Sequence, residues 1–351
     1  MMAQGIISGN GRSRRARPPA TPGGSRNAAR AAFAVCKLVV DEGGSGQRLD
    51  NYLFRHLKGV PRTHVYRVIR SGEVRVNKSR AAAETRLAEG DVVRVPPMRL
   101  AAGERAPPSA AVPAREFPLL YEDEWLLAVD KPAGVAVHGG SGVSFGVIEQ
   151  LRRARPHSRF LELVHRLDKE TSGILLLAKK RGALTAMQQQ FRQRGAEKRY
   201  AALVIGAWPA ARKVIDVALK KYLDAAGERR VKVVDRDDEH ARRAVTLVDV
   251  ARRFDGFTLL EVTIKTGRTH QIRVHLAEAG HPIVGDAKYG DFALNKALAR
   301  GSLLPRVRFE RMFLHAQLLG FDHPVHGERI TLQSPLPVEC ATLLELLPPV
   351  R

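Results

Sequence analysis

The segment Arg99–Ala114 divides the chain. It holds three prolines, two of them adjacent at Pro107 and Pro108, among six alanines and no periodic apolar pattern. Proline fixes its own φ and offers no N–H to a helix or a ladder, so neither element runs through such a stretch. Residues 99–114 are therefore a stiffened linker. A chain of 351 residues cut there folds as a small unit over 45–98 and a large one over 115–351. A chain this long buries a core without cross-links. Its two cysteines, Cys36 and Cys340, sit near opposite ends, which points to a reducing compartment.

Residues 1–40 contain seven basic side chains and no acid, and Pro18, Pro19, Pro22, Gly23 and Gly24 interrupt any helix there. Little apolar content and unbalanced charge cannot offset the entropy of ordering, so residues 1–44 are expected to be a disordered basic tail. Its Arg- and Ser-rich composition also resembles an organellar transit peptide. The proline–glycine cluster spoils the amphipathic helix such a peptide needs, and a cytoplasmic location is expected. The whole chain carries 58 Lys and Arg against 36 Asp and Glu, a formal charge of +22, and stays at +15 without the tail's seven cations. That surplus points to a polyanion partner, most simply nucleic acid. No uncharged apolar run approaches the ~18 residues of a membrane span. Aromatic residues make up 6%, which disfavours a surface that holds single strands mainly by stacking bases.

The small unit reads as two short helices, over Leu49–Leu57 and Arg62–Arg70, then strand-like runs at Val74–Asn77 and Asp91–Val95. At 100° per residue Val65, Tyr66 and Ile69 share one face of the second helix, and Thr63, Arg67 and Arg70 fall in a neighbouring sector about 60° wide. Between Gly46 and Leu100 there are 12 basic and 5 acidic residues, so the module is cationic in its own right. GQRLDNYL followed by GVPRTHVYRVIRSGEVRVN resembles an S4 RNA-binding domain. The resemblance implies that Arg67, Arg70, Arg75 and Lys78 dock on phosphates, contacts that position a protein without reading sequence.

After Phe117 strand-like runs predominate: Leu126–Asp130, Phe160–Val164, Ile174–Ala178, Tyr200–Ile205, Ala244–Val250, Phe257–Ile264, Leu314–Phe321 and Arg329–Leu332. Helical patterns cover Ser144–Arg153, Gly182–Arg194, Thr269–Ala279 and Ala341–Leu347. Strands and helices do not alternate, so the expected fold class is α+β with a mixed, largely antiparallel sheet. GGSGVSFG at 139–146 lacks the Gly-Lys-Ser/Thr ending of a phosphate loop and does not closely follow a strand.

Three windows carry the chemistry. In FLELVHRLDKETSGILLLAKK, 160–180, two apolar runs bracket the polar turn Arg166–Gly173, which places Asp168 on a loop between two strands. A carboxylate there can serve as nucleophile, as general base or as a plain turn former. HRLDK echoes the HRDLxxxN loop of protein kinases, but Leu and Asp are transposed and neither the downstream Asn nor a DFG follows. EKRYAALVIG, 197–206, sets Tyr200 at the start of a strand. KTGRTHQIRVHLAEAGHPIVGD, 265–286, reads as a strand end, a glycine turn and a helix capped by Thr269 and stopped by Gly280, with His270 and Arg273 one turn apart. His165, His270 and His275 lack the spacing and the acidic or thiol companions of a zinc site, so no metal is expected.

KPAGVAVHGGSGVSFGVIEQLR, LVHRLDKETSGILLLAKK, EKRYAALV and TGRTHQIRVHLAEAGHPIVGDAKYGD together resemble the catalytic domain of the RluA-type pseudouridine synthases, preceded by the S4 module. Within that family the likeness is to enzymes of large-subunit ribosomal RNA. The resemblance implies an isomerase that cuts the N-glycosidic bond of a uridine, turns the uracil and rejoins it through C5. No atom is gained or lost, so neither cofactor nor metal is needed, and the stacked base must first be flipped into a pocket. On that likeness Asp168 is the essential aspartate. Tyr200 is the aromatic that stacks on uracil and whose hydroxyl helps remove the C5 proton. Arg273 is the cation that pairs with the aspartate and, within ~4–6 Å, favours its ionised form. Arg166 is expected to enter the gap left by the flipped nucleotide. The expected partner is large-subunit ribosomal RNA, with no membrane and a monomeric chain. Two other readings stay open: an RNA chaperone or ribosome assembly factor with a retired site, and a sister isomerase acting on transfer RNA or in an organelle.

Overall fold

The computed structural model describes residues 35–41, 43–57, 60–97, 112–139, 145–225, 227–304 and 308–350. Residues 1–34 of the expected tail, 99–111 of the expected linker and 140–144 of the glycine-rich stretch lie outside them.

The small unit pairs β1 (Cys36–Val39), β2 (Arg75–Val76), β3 (Ser79–Arg80) and β4 (Val92–Val95) in the order β1-β4-β2-β3, all antiparallel, beside α1 (Leu49–His56) and α2 (Arg62–Arg70). Leu49, Leu53, Val65, Val68, Ile69 and Val93 sit in its core. Two expectations shift. The tail does not run to residue 44, because Cys36–Val39 lies against Val92–Val95 as a strand. CKLV is too short to declare itself, and only the partner strand makes it β. On α2 the inward stripe is Val65, Val68 and Ile69, whereas Tyr66 is 37% exposed with its hydroxyl 3.3 Å from Asp50 Oδ2. Val68 trails Val65 by about 60° around the helix and Tyr66 leads it by about 100°, which turns the phenol toward the rim.

The large unit carries one eleven-stranded sheet. Its strands are β5 (Leu119–Glu122), β6 (Leu126–Lys131), β7 (Glu162–Leu163), β8 (Ser172–Ala178), β9 (Glu197–Ile205), β10 (Val214–Leu223), β11 (Arg229–Val234), β12 (Arg242–Phe254), β13 (Phe257–Ile264), β14 (Leu314–Asp322) and β15 (Arg329–Gln333). The main order is β11-β10-β12-β13-β9-β14-β8-β6-β5, with β15 beside β14 and β7 beside β8. Among these pairings β14 with β8 is parallel and the rest are antiparallel, so the sheet is mixed and largely antiparallel. The helices are α3 (Val147–Ala154), α4 (Arg181–Gln193), α5 (Gln271–Glu278), α6 (Phe292–Arg300) and α7 (Val338–Leu346).

Strand β8 explains its own sequence. Leu175 and Leu177 enter the core shared with α3, α5 and α7, while Ile174, Leu176 and Ala178 enter the core under α4. A strand covered on both faces reads as a continuous apolar run instead of alternating, and this one holds the chemistry-bearing loop at its N-terminal end. Strands β5, β10 and β11 and helix α6 were not expected. VIDVALKKYL and RRVKVV are rich in cations, and only the hairpin register turns Leu219 and Val231 inward.

Candidate active site

β7 and β8 pair antiparallel, Glu162 opposite Ala178 and Leu163 opposite Leu177, so residues 164–171 form the loop that closes the pair. The loop is fastened at several points. Leu167, Thr171 and Ser172 are buried, and the Asp168 carbonyl accepts the Thr171 N–H at 3.2 Å. Lys131, fully buried, donates from Nζ to the carbonyls of Pro132 (2.8 Å), Val135 (2.8 Å) and Lys169 (3.0 Å). Burial pushes that ammonium down to about 7, with Glu170 acting against the fall; three carbonyls receive three protons only from the charged form. Gly173 has φ +106°, and a Cβ there would lie 2.3 Å from the Ala316 carbonyl oxygen. Only glycine lets β14 draw alongside where β8 begins. Ser172 Oγ stands 2.9 Å from His315 Nδ1 and accepts from Arg311 Nη2 at 2.5 Å.

Arg273, 5% exposed on α5, faces two carboxylates. Nε and Nη2 donate to Oδ2 and Oδ1 of Asp286, both at 2.7 Å, and Nη1 reaches Asp168 Oδ2 at 3.4 Å. Asp286 is buried as well, and its Oδ1 also accepts the N–H groups of Lys288 and Tyr289 at 2.8 and 3.1 Å. Burial works against both charges. Their mutual bond outweighs it, so the guanidinium lies above its ordinary value and the Asp286 carboxyl below the usual carboxylate range. From the sequence Arg273 is expected to pair with Asp168; its two-pronged partner is Asp286, and Asp168 meets the remaining nitrogen. Asp286 does not stand out in the sequence. The available signal was that an arginine buried among Ile272, Val274 and Leu276 requires a carboxylate of its own.

The entry to α5 differs from expectation. The N-cap is His270, not Thr269, with a left-handed φ of 53° and no side-chain cap bond. Such a conformation is strained for a residue with a Cβ. What holds it is Tyr289, whose hydroxyl accepts the Val231 N–H at 3.0 Å and lies 2.8 Å from His270 Nδ1. The Tyr289 ring also stands 5.1 Å from the Arg273 guanidinium carbon, within cation–π range. Burial holds His270 below its ordinary value, with the Asp168 charge acting against it.

Tyr200 is buried on β9, opposite Val262 of β13 and Ala316 of β14. Burial first, and the Asp168 carboxylate second, push its phenol up, so it keeps its proton at neutral pH. The three sequence windows therefore meet: Arg273 touches Asp168, and Tyr200 lies in the field of Asp168. Arg166 is exposed two residues earlier on the same loop, and its guanidinium makes no hydrogen bond or ion pair among the described residues. Arg67, Arg70, Arg75 and Lys78 are exposed on the small unit and take no part in the Asp168 cluster; Arg75 Nη1 donates to the Lys78 carbonyl at 3.1 Å. His165 is a fastener. Its Nε2 accepts the Leu176 N–H at 3.1 Å, and burial holds it neutral, down to about 3. Among the described residues no group of three or more His, Cys, Asp and Glu converges to hold a metal, and no helix is long and apolar enough to cross a membrane.

A mixed, largely antiparallel sheet thus carries a loop aspartate, a buried phenol and a clamped arginine, behind a small basic unit. Residues 125–278 match the RNA pseudouridylate synthase family and residues 47–93 the S4 domain. The chain is 47% identical over 317 residues to the ribosomal large subunit pseudouridine synthase C of Pasteurella multocida (strain Pm70), covering 90% of this chain and 94% of that one. It is 46% identical over 305 residues to the protein of that name in Escherichia coli (strain K12), covering 86% and 92%. The human RNA pseudouridylate synthase domain containing 4 superposes with a TM-score of 0.54 at 28% identity, over 65% of this chain and 92% of that one. The chain belongs to the RNA pseudouridylate synthase family, and carries an S4 domain in front of its synthase domain.

Proposed function

We propose that the protein converts specific uridines of large-subunit ribosomal RNA to pseudouridine, using Asp168 as the essential carboxylate on a flipped-out base and no cofactor. The observation that carries this is the convergence on Asp168: Arg273 at 3.4 Å and the Tyr200 phenol within its field, from windows more than thirty and one hundred residues away. The relatives that match along most of this chain bear the large-subunit name, which supports the substrate. About a quarter of the Asp168 side chain is open to solvent, so it can meet a nucleoside presented from outside. Arg273, fixed by Asp286, holds the carboxylate in one orientation. Tyr200, whose phenol keeps its proton in the free protein, offers its ring face to the loosened uracil, and its hydroxyl helps remove the C5 proton. Arg166, exposed two residues before Asp168, fills the space the base leaves.

Asp168→Asn tests this. Tritium release from 5-labelled uridine in a large-subunit RNA fragment should fall by at least about 10³-fold, while RNA affinity stays within about 3-fold. Turnover at the normal rate would remove Asp168 from the chemistry. Carbodiimide primer stops that appear on transfer RNA and not on large-subunit RNA would overturn the substrate.

A further inference from the structure

The small and large units meet at a cleft of about 400 Å³, whose walls include Arg48, Asn51 and Arg86 on one side and Glu162, Arg181 and Gln188 on the other. Its charges do not balance. Arg48 is already forked on Asp50, at 3.1 and 2.8 Å. Glu162, the acid on the wall, is held by Arg152 at 2.8 Å and approached by Arg55 at 3.9 Å. Arg86 donates to the Gly46 carbonyl at 2.8 Å. Among the described residues neither Arg86 nor Arg181 has a carboxylate within ion-pair distance. Burial holds the Arg181 guanidinium below its ordinary value, and the like charges of Arg86 and Arg55 add to the fall against Glu162. Two guanidiniums from different units thus face one cavity with a single shared acid, which leaves room for an anion. Guanidinium is the group best matched to phosphate oxygens. The amides of Asn51 and Gln188 can both donate and accept, as a ribose 2′-hydroxyl requires. At about 400 Å³ the cleft falls within the size range of small-ligand pockets.

We propose that the interdomain cleft is a second RNA-backbone site, in which Arg86 and Arg181 grip a phosphodiester of the substrate between the S4 unit and the synthase unit. It is separate from the Asp168 cluster and from Arg67, Arg70, Arg75 and Lys78. This rests on the ribosomal RNA reading above and adds where the RNA lies. Arg181 follows the end of β8 remote from Asp168, and the six steps from Ser172 to Ala178 span about 20 Å. That distance is several nucleotides long, so the phosphate belongs to the flank of the target uridine.

The full-length protein and its Arg86→Gln/Arg181→Gln variant are compared in binding to a large-subunit RNA fragment across a potassium chloride series. The expected result is a plot of log Kd against log salt shallower by about 0.7–0.9 per lost phosphate contact, with affinity about 10-fold weaker at physiological salt. Arg86→Lys/Arg181→Lys keeps both charges and should keep the parent slope while the glutamine pair loses it. An unchanged slope in the glutamine pair overturns the proposal and assigns the cleft to another anion, such as an acidic protein segment. If the parent modifies the fragment and the glutamine pair binds like the parent, the cleft site alone fails. If the parent modifies no ribosomal RNA, the reading beneath it fails.

Discussion

Arg273 answers two carboxylates unequally, and the inequality divides their roles. Asp286 takes both prongs of the guanidinium at 2.7 Å and is itself closed off from water, whereas Asp168 stands at 3.4 Å with about a quarter of its side chain open. The buried pair is the anchor, and the looser contact is the end that the proposed function uses. Removing one partner of a buried pair leaves an uncompensated charge and costs about 3–5 kcal/mol, while a partly exposed contact is worth about 0–1 kcal/mol. Asp286→Asn is therefore expected to destabilise the fold by roughly 3 kcal/mol in urea unfolding, and Asp168→Asn by less than about 1 kcal/mol. The first substitution should also lower single-turnover rates, because Arg273 loses the partner that fixes its position against Asp168. Equal stability of Asp286→Asn and the parent would show that the anchor lies elsewhere.

Among the elements, β8 and α5 show what a sequence discloses. ILLLA declared a buried strand because both of its faces are covered, and the turn before it declared a site because it interrupts that run. Asp286 stayed hidden: an acid after a glycine gains its role only when the fold brings it to Arg273, thirteen residues away. β1, β10 and β11 stayed hidden because pairing partners, not composition, make them strands. The strained entry of α5 at His270 depends likewise on Tyr289, which no local pattern connects to it. The same helix carries a second constraint. His275 is fully buried, and neither ring nitrogen has a partner among the described residues. Burial holds it down to about 4, with Asp216 acting against the fall, while in the unfolded chain it titrates near 6.5. Between those values the unfolded chain takes up a proton that the folded chain refuses. The contribution is thus complete above pH about 6.5 and lost as pH falls toward 4, by up to about 3 kcal/mol. His275→Leu, which replaces both unpaired nitrogens with carbon, should stay within about 1.5 kcal/mol of the parent at neutral pH. Its stability should then decline less steeply from pH 6.5 to 4 in urea titrations. Parallel curves for the two proteins would mean that His275 finds partners in solution.

At the scale of the whole molecule, the exposed cations of α2 and the Asp168 cluster lie on different units. The S4 unit presents Arg67 and Arg70 on the exposed side of α2, while Asp168, Tyr200 and Arg273 lie on a loop, a strand and a helix of the large sheet. Phosphate contacts add binding free energy to any RNA, because they carry no base information. On the proposed function, choice of uridine then falls to the surroundings of Asp168 and to contacts along the flanking RNA. Arg67→Ala with Arg70→Ala should weaken binding to substrate and to unrelated RNA by the same factor, and should flatten the salt dependence by about 0.7–0.9 per contact. The ratio between the two RNAs should not move. Binding assays on a large-subunit fragment and on a scrambled RNA of equal length, each across a salt series, separate the possibilities. A ratio that collapses toward one would mean that α2 reads bases or RNA shape, and an unchanged slope would take α2 out of the interface.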